Sequence, residues 1–148
     1  MKPIIAFLPI FLLLLGSCNG PASEETAGGT PLPDDGTSQY WNAVQKPFYH
    51  GVASGDPLAD RVIIWTRVTP EYVREVPISW QVATDPGMEN VVQSGQATAS
   101  PARDYCVKVD VGGLQPDTRY YYRFSALEAD SPVGRTKTAP AGAADRLR

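Results

Sequence analysis

From residue 48 onward, apolar and polar positions alternate in short runs divided by clusters of Gly, Pro, Asp and Asn, the pattern of β-strands joined by turns. The runs occupy residues 48–54, 61–68, 76–84, 91–97, 102–111, 118–126 and 133–138. In the third, Ile78, Trp80 and Val82 share one face, with Ser79 and Gln81 on the other. In the fifth, Tyr105, Val107, Val109 and Val111 oppose Asp104, Lys108 and Asp110, which puts Cys106 on the polar side. In the sixth, Tyr120, Tyr122 and Phe124 point inward, and Arg119, Tyr121 and Arg123 outward. The second run breaks the alternation, because Val62 and Ile64 make one face apolar and Ile63 and Trp65 the other, as in strands covered on both sides. The face bearing Val62 and Ile64 reads either as a contact with a further domain or as an edge exposing two aliphatic residues, which is ordinary on protein surfaces.

Seven strands within about 90 residues predict an all-β fold, an antiparallel sandwich of immunoglobulin or fibronectin type III type. Trp65 and Trp80 are its candidate structural tryptophans. Gly55-Asp56-Pro57 is a dense turn signal between the first two runs. Leu114-Gln115-Pro116-Asp117-Thr118-Arg119-Tyr120 resembles the loop leading into strand F of fibronectin type III domains. There a tyrosine hydroxyl bonds back to the main chain and fixes a corner, and Tyr120 is the candidate; a generic turn before a strand is the plainer reading.

The N-terminal part has a different character. Lys2 precedes an almost wholly apolar stretch from Ile4 to Leu15, far shorter than the roughly 20 residues of a transmembrane helix, so residues 1–17 read as a secretory signal. It closes on Leu15-Gly16-Ser17-Cys18, which resembles the lipobox of bacterial lipoproteins; a plain signal cleaved near Ser17 or Gly20 is the alternative. Lipid on Cys18 would anchor the chain in the bacterial cell envelope, on the periplasmic or outer-surface side, at about 0.8 kcal/mol per buried methylene. Residues 18–45 are rich in Gly, Pro, Ser, Thr and acidic residues, and a disordered linker is expected there. Within it, Tyr40 and Trp41 read as packing on the folded part or lying at the membrane interface. Residues 46–140 form the sandwich, and 141–148 begin a further linker.

A formal net charge of -3 leaves no basic excess for the phosphates of nucleic acid. With lipid on Cys18, Cys106 has no intramolecular disulfide partner; set between Tyr105 and Val107, it reads as a small buried hydrophobe despite its polar-side position. Gly55-Asp56 suggests a metallophosphatase, but a two-metal site needs several converging His, Asp and Asn ligands. The chain has one histidine, His50, and neither Asp-x-His nor Gly-Asn-His. Asp56 before Pro57 reads instead as a turn residue whose side chain caps local main chain. Ser54 lies in Ala-Ser-Gly rather than in a nucleophile elbow, and no phosphate-cradling Gly-x-x-x-x-Gly-Lys occurs. Tyr49 and Tyr121 read as surface pairs, as a contact with a neighbouring domain, or as a carbohydrate-binding face.

The chain as a whole carries a family pattern. His50-Gly51-Val52-Ala53-Ser54-Gly55-Asp56-Pro57 is followed by Val62-Ile63-Ile64-Trp65-Thr66-Arg67, by the strand containing Trp80, and by Gly113-Leu114-x-Pro116-x-Thr118-x-Tyr120-Tyr121-Tyr122-Arg123-Phe124. It ends on Gly134-Arg135-Thr136-x-Thr138-Ala139-Pro140, and residues 47 to 140 together resemble the N-terminal domain of alkaline phosphatase D-type enzymes. Gly51, Ser54, Gly55, Asp56 and Pro57 are the family-motif positions. The resemblance implies secreted metallophosphoesterases that cleave phosphomonoesters and phosphodiesters with iron and calcium, held in a catalytic domain beginning after the Thr-Ala-Pro linker. None of the family's catalytic or metal-binding residues has a counterpart in these 148 residues, so no cofactor is expected here. The expected function is the non-catalytic N-terminal sandwich of a membrane-anchored alkaline phosphatase D-type enzyme, present as a truncated or fragmentary chain, with the missing catalytic domain and the membrane as partners. The alternative is a standalone surface-anchored module contacting protein or glycan.

Overall fold

The computed structural model describes residues 29–34 and 36–142. The expected secretory segment and Cys18 lie outside the described residues. Eight strands appear among those described: β1 (Val52–Gly55), β2 (Val62–Arg67), β3 (Val76–Ala83), β4 (Val91–Ala99), β5 (Cys106–Val111), β6 (Arg119–Ala126), β7 (Ala129–Asp130) and β8 (Gly134–Lys137). Strands β1, β2 and β5 make one antiparallel sheet in the order β1-β2-β5. The other sheet runs β4-β3-β6, and β6 is further paired by β8 along Arg119–Tyr122 and by β7 at Ser125 and Ala126. The result is an antiparallel sandwich of fibronectin type III type.

Each sheet turns one set of alternate residues toward the other. Val62, Ile64 and Thr66 of β2 are fully buried, and β5 adds Val107 and Val111. Facing them are Val76, Ile78 and Val82 of β3 with Tyr120, Tyr122 and Phe124 of β6. Tyr122 and Phe124 meet edge to face, with ring centroids 6.4 Å apart. Thr66 is the polar member of its row, and its hydroxyl donates to the Gly51 carbonyl at 2.9 Å.

The structure corrects the sequence reading in several places. Val62 and Ile64 are core residues, not an outer face: each is 0% exposed, and the apolar positions that look outward on β2 are Ile63 and Trp65. Pairing decides this, because Ile63 lies opposite Asp110 and Trp65 opposite Lys108, the polar side of β5. Strand β1 begins at Val52 rather than at residue 48, since Phe48 is held in a turn, where it accepts from Gly51 N at 2.9 Å and is fully buried. Strand β5 begins at Cys106, because Asp104 and Tyr105 adopt left-handed φ values of 50° and 56° after a short 3₁₀ turn at Pro101–Arg103. The described part of the expected disordered linker packs on the domain: Leu32 N donates to Glu71 O and Val73 N to Thr30 O, and Trp41 stacks on Tyr49 at 4.6 Å. Tyr40 stays exposed.

Two glycines mark where a strand must let an aromatic ring lie flat across it. Trp80 on β3 lies opposite Gly95 on β4, and Tyr122 on β6 lies opposite Gly134 on β8. A Cβ at Gly134 would sit 2.3 Å from Tyr122 Cζ, which no buried ring tolerates without moving. Gly134→Ala is expected to destabilise the domain by about 1–3 kcal/mol, read from the urea midpoint. Gly55→Ala, whose Cβ would meet nothing within 4 Å, is the control and should change it by less than about 0.5 kcal/mol.

Candidate functional site

The motif residues gather mainly at one end of the sandwich, where the last strand finishes. The Gly55-Asp56-Pro57 turn leads to Leu58, whose N–H donates to Arg61 O at 2.9 Å and whose carbonyl accepts from Ala139 N at 3.0 Å. The Ala139 carbonyl in turn accepts from Asp117 N at 3.0 Å. Beside it, Thr138 is 2% exposed. Its hydroxyl donates to Gln115 O at 2.6 Å and accepts from Thr118 N at 3.0 Å. Gln115 N donates to the Tyr120 hydroxyl at 2.9 Å, with Tyr120 2% exposed. The corner before β6, the motif turn and the chain after β8 are thus tied into one clamp. Its sequence signals are the Leu-x-Pro-x-Thr-x-Tyr spacing and the Thr-Ala-Pro that follows β8; the part played by Thr138 was not foreseen.

Other motif positions serve the same architecture. Gly51 takes φ 67°, a conformation that favours glycine, and offers its carbonyl to Thr66. Ser54 lies on β1, in the sheet opposite the one that carries Tyr122. Burial pushes the Tyr122 phenol above its ordinary range, and Ser54 opposes this in part. Asp56 takes a left-handed φ of 50°, and the turn rests on the main-chain bonds of Leu58 rather than on a cap from the Asp56 carboxylate. Trp65 is half-buried on the outer face of its sheet between Ala53 and Lys108, while Trp80 packs against the core from β3.

A second cluster surrounds His50. Arg67 Nη1 lies 2.6 Å from His50 Nε2, while Arg67 Nε and Nη2 donate to the Asp104 carbonyl and carboxylate at 3.1 and 2.8 Å. Because guanidinium only donates, this geometry uses an unprotonated Nε2 as acceptor. It ties the end of β2 to the left-handed turn before β5. A separate cleft of about 420 Å³ is lined by residues that include Lys46, Glu71, Tyr72 and Arg74, with Lys46 and Glu71 ion-paired. That pairing raises the Lys46 amine and lowers the Glu71 carboxyl relative to their ordinary values. Among the described residues no three His, Cys, Asp or Glu side chains converge to hold a metal ion, so the residues present do not fit an iron or calcium centre. Cys106 is a half-buried free thiol on the outward side of β5, and no described helix is long and apolar enough to cross a membrane.

Two antiparallel sheets closed by a tyrosine corner define an all-β sandwich module of fibronectin type III type. The chain matches the family described as "PhoD-like phosphatase, N-terminal domain" over residues 35–140, and it belongs to that family. It is 43% identical over 106 residues to alkaline phosphatase D of Bacillus subtilis (strain 168), a match covering 67% of this chain and 18% of that protein. A solved structure of PhoD is similar with a TM-score of 0.65 and 42% identity, over 71% of this chain and 22% of the other. A fibronectin type III domain of human collagen alpha-1(XX) chain has a TM-score of 0.41 and 19% identity, covering 83% of this chain and 96% of the domain. The chain spans about a fifth of the length of the phosphatases it matches.

Two outcomes test this geometry. Tyr120→Phe leaves Gln115 N–H without its acceptor and should cost about 1–3 kcal/mol. Combined with Thr138→Val, which removes the bond to the carbonyl of the same residue, the loss measured by a double-mutant cycle should be less than the sum. For Tyr122 the folded state favours the neutral phenol, whereas the unfolded phenol ionises from about pH 10. Stability should therefore fall as pH rises through that point, and a Tyr122→Phe chain should lack this part of the slope in equilibrium unfolding between pH 9 and 11, to take a span of about one unit on either side.

Proposed function

We propose that this chain is the non-catalytic N-terminal sandwich of a membrane-anchored alkaline phosphatase D-type phosphomonoesterase or phosphodiesterase. The observation that carries the reading is the clamp at Thr138 and Ala139. Both residues are bonded to the corner loop, and Ala139 also to the motif turn, so the chain leaves the sandwich in a direction fixed by the fold. A module of that kind sets the orientation of whatever follows it. The family match, with its coverage of only about a fifth of the related phosphatases, supports placing the catalytic machinery and its metals outside these residues. The anchor in this proposal is lipid on Cys18, within the bacterial cell envelope.

The outward positions Ile63 and Trp65, in place of Val62 and Ile64, are the apolar pair on β2 open to contact with a catalytic domain. Phosphatase activity is not expected of the 148 residues alone. The decisive measurement is the length of the native product, by immunoblot of membrane fractions against an epitope in the sandwich. The proposal expects a species of several hundred residues that leaves the membrane fraction when Cys18 is replaced by Ser. A lipidated product ending near Arg148 would instead favour the standalone binding module.

A further inference from the structure

The outer face of the larger sheet carries charge of one sign along two adjacent strands. Arg119, Tyr121 and Arg123 point outward from β6, and β8 places Lys137 opposite Arg119 and Arg135 opposite Tyr121. Directly opposed side chains lie about 5 Å apart and like charges there are destabilising. Residues 119 and 123 are separated along the strand by about 13 Å. Four cations thus form a ribbon two strands wide around a half-buried tyrosine. Asp130 pairs with Arg123 at 2.9 Å, Gln81 accepts from Arg123 Nη2 at 3.1 Å, and Asp117 pairs with Lys137. Arg119 and Arg135 are exposed, and among the described residues neither takes part in an ion pair. The neighbouring outward positions of β3 and β4 supply no acid, being Ser79, Gln81, Ser94 and Gln96. In a chain of net charge -3, this is a local excess of the opposite sign.

Protection of an edge strand is the plain alternative, since charged residues on edges discourage strand addition. It accounts for Arg135 and Lys137 on β8, and Asp130 and Gln81 account for Arg123, but neither explains Arg119 on β6, which is flanked by β3 on one side and by β7 and β8 on the other. We propose that this ribbon binds a linear polyanion whose charge is carried by phosphate groups, a non-catalytic site on the sandwich itself. The choice of phosphate rests on the reading of the chain as part of a phosphatase. Guanidinium forks suit phosphate oxygens in paired hydrogen bonds, and the two cations outside ion pairs, Arg119 and Arg135, are both arginines. Arg119 and Arg135 lie diagonally on adjacent strands, an arrangement that matches neighbouring charges of a chain better than a single ion.

The test uses the full chain and long-chain inorganic polyphosphate as probe, with polyglutamate of matched charge and phosphatidylglycerol vesicles alongside. Binding at low salt is expected for polyphosphate, weakened at least about tenfold by the double variant R119E/R135E, with the slope of log affinity against log salt reduced by about 2. Lys108→Glu, on the outer face of the other sheet, should leave binding unchanged. The melting midpoint of Arg119→Glu should be unchanged or raised, because a carboxylate would then face Lys137. Equal binding by wild type and double variant would overturn the proposal, as would polyglutamate binding as tightly as polyphosphate. Vesicle binding that depends on Arg119 and Arg135, without polyphosphate binding, would replace it with a membrane surface. None of these readouts uses phosphatase activity or the length of the native product, so they fail independently of the functional reading.

Discussion

Strand β6 must bury Tyr120, Tyr122 and Phe124 on one face, and the placement of the other elements follows from that requirement. A large aromatic side chain buries about 150–250 Å², equivalent to about 4–6 kcal/mol as an upper bound, whereas one hydrogen bond contributes about 1 kcal/mol net. Burial therefore decides that β6 lies in the middle, paired by β3, β7 and β8. The hydroxyls then specify what burial alone leaves free. Tyr120 selects the loop conformation through Gln115 N, and Thr66 holds the turn before β1 through the Gly51 carbonyl. Gly134 is the concession that β8 makes to the Tyr122 ring.

The sheets were legible in the sequence wherever one face was polar. The runs that became β3, β4 and β6 carry such a face, and the inward and outward sets on β6 could be assigned from period two alone. On β2 both faces are apolar, so the period leaves two answers, and only the polar side of β5 across the register chooses between them. Turns with glycine or proline were visible, but Asp104-Tyr105 and Leu127-Glu128 place non-glycine residues at positive φ and carry no comparable signal. The β6 to β7 hairpin was missed for that reason, and so was the late start of β5. The packing of Thr30 and Leu32 was hidden because it depends on main-chain bonds to residues 71 and 73, which composition does not encode. At the clamp, Tyr120 was visible from its spacing, whereas Thr138 looks like any threonine after a strand until its distance from Gln115 is known.

The inner and outer faces of β6 answer to different constraints. Inside, packing leaves little choice of side chain; outside, charge is free to be placed, and a directly opposed Arg119 and Lys137 is not the choice that sheet stability alone favours. The lone Asp117 contact to Lys137 offsets the repulsion only from beyond the end of the strand. The alternation that reads as core on one side therefore bears on binding on the other, and the cost of like charges falls where the buried face is already secure.

The clamp and the cationic ribbon share β6 and β8. Strand β8 runs from Gly134 to Lys137, and the next two residues are Thr138 and Ala139, both bonded. Any direction imposed on the chain beyond Pro140 is thereby referred to the same strands that display Arg119 and Arg135. On the proposed reading, a polyanion held along the ribbon would lie beside the point where Thr138 and Ala139 fix the path of the chain. A flexible tether would concentrate such a ligand near a neighbouring site, but would not orient it. Two consecutive residues bonded where β8 ends fix the path of the chain at that point, which a flexible tether does not do.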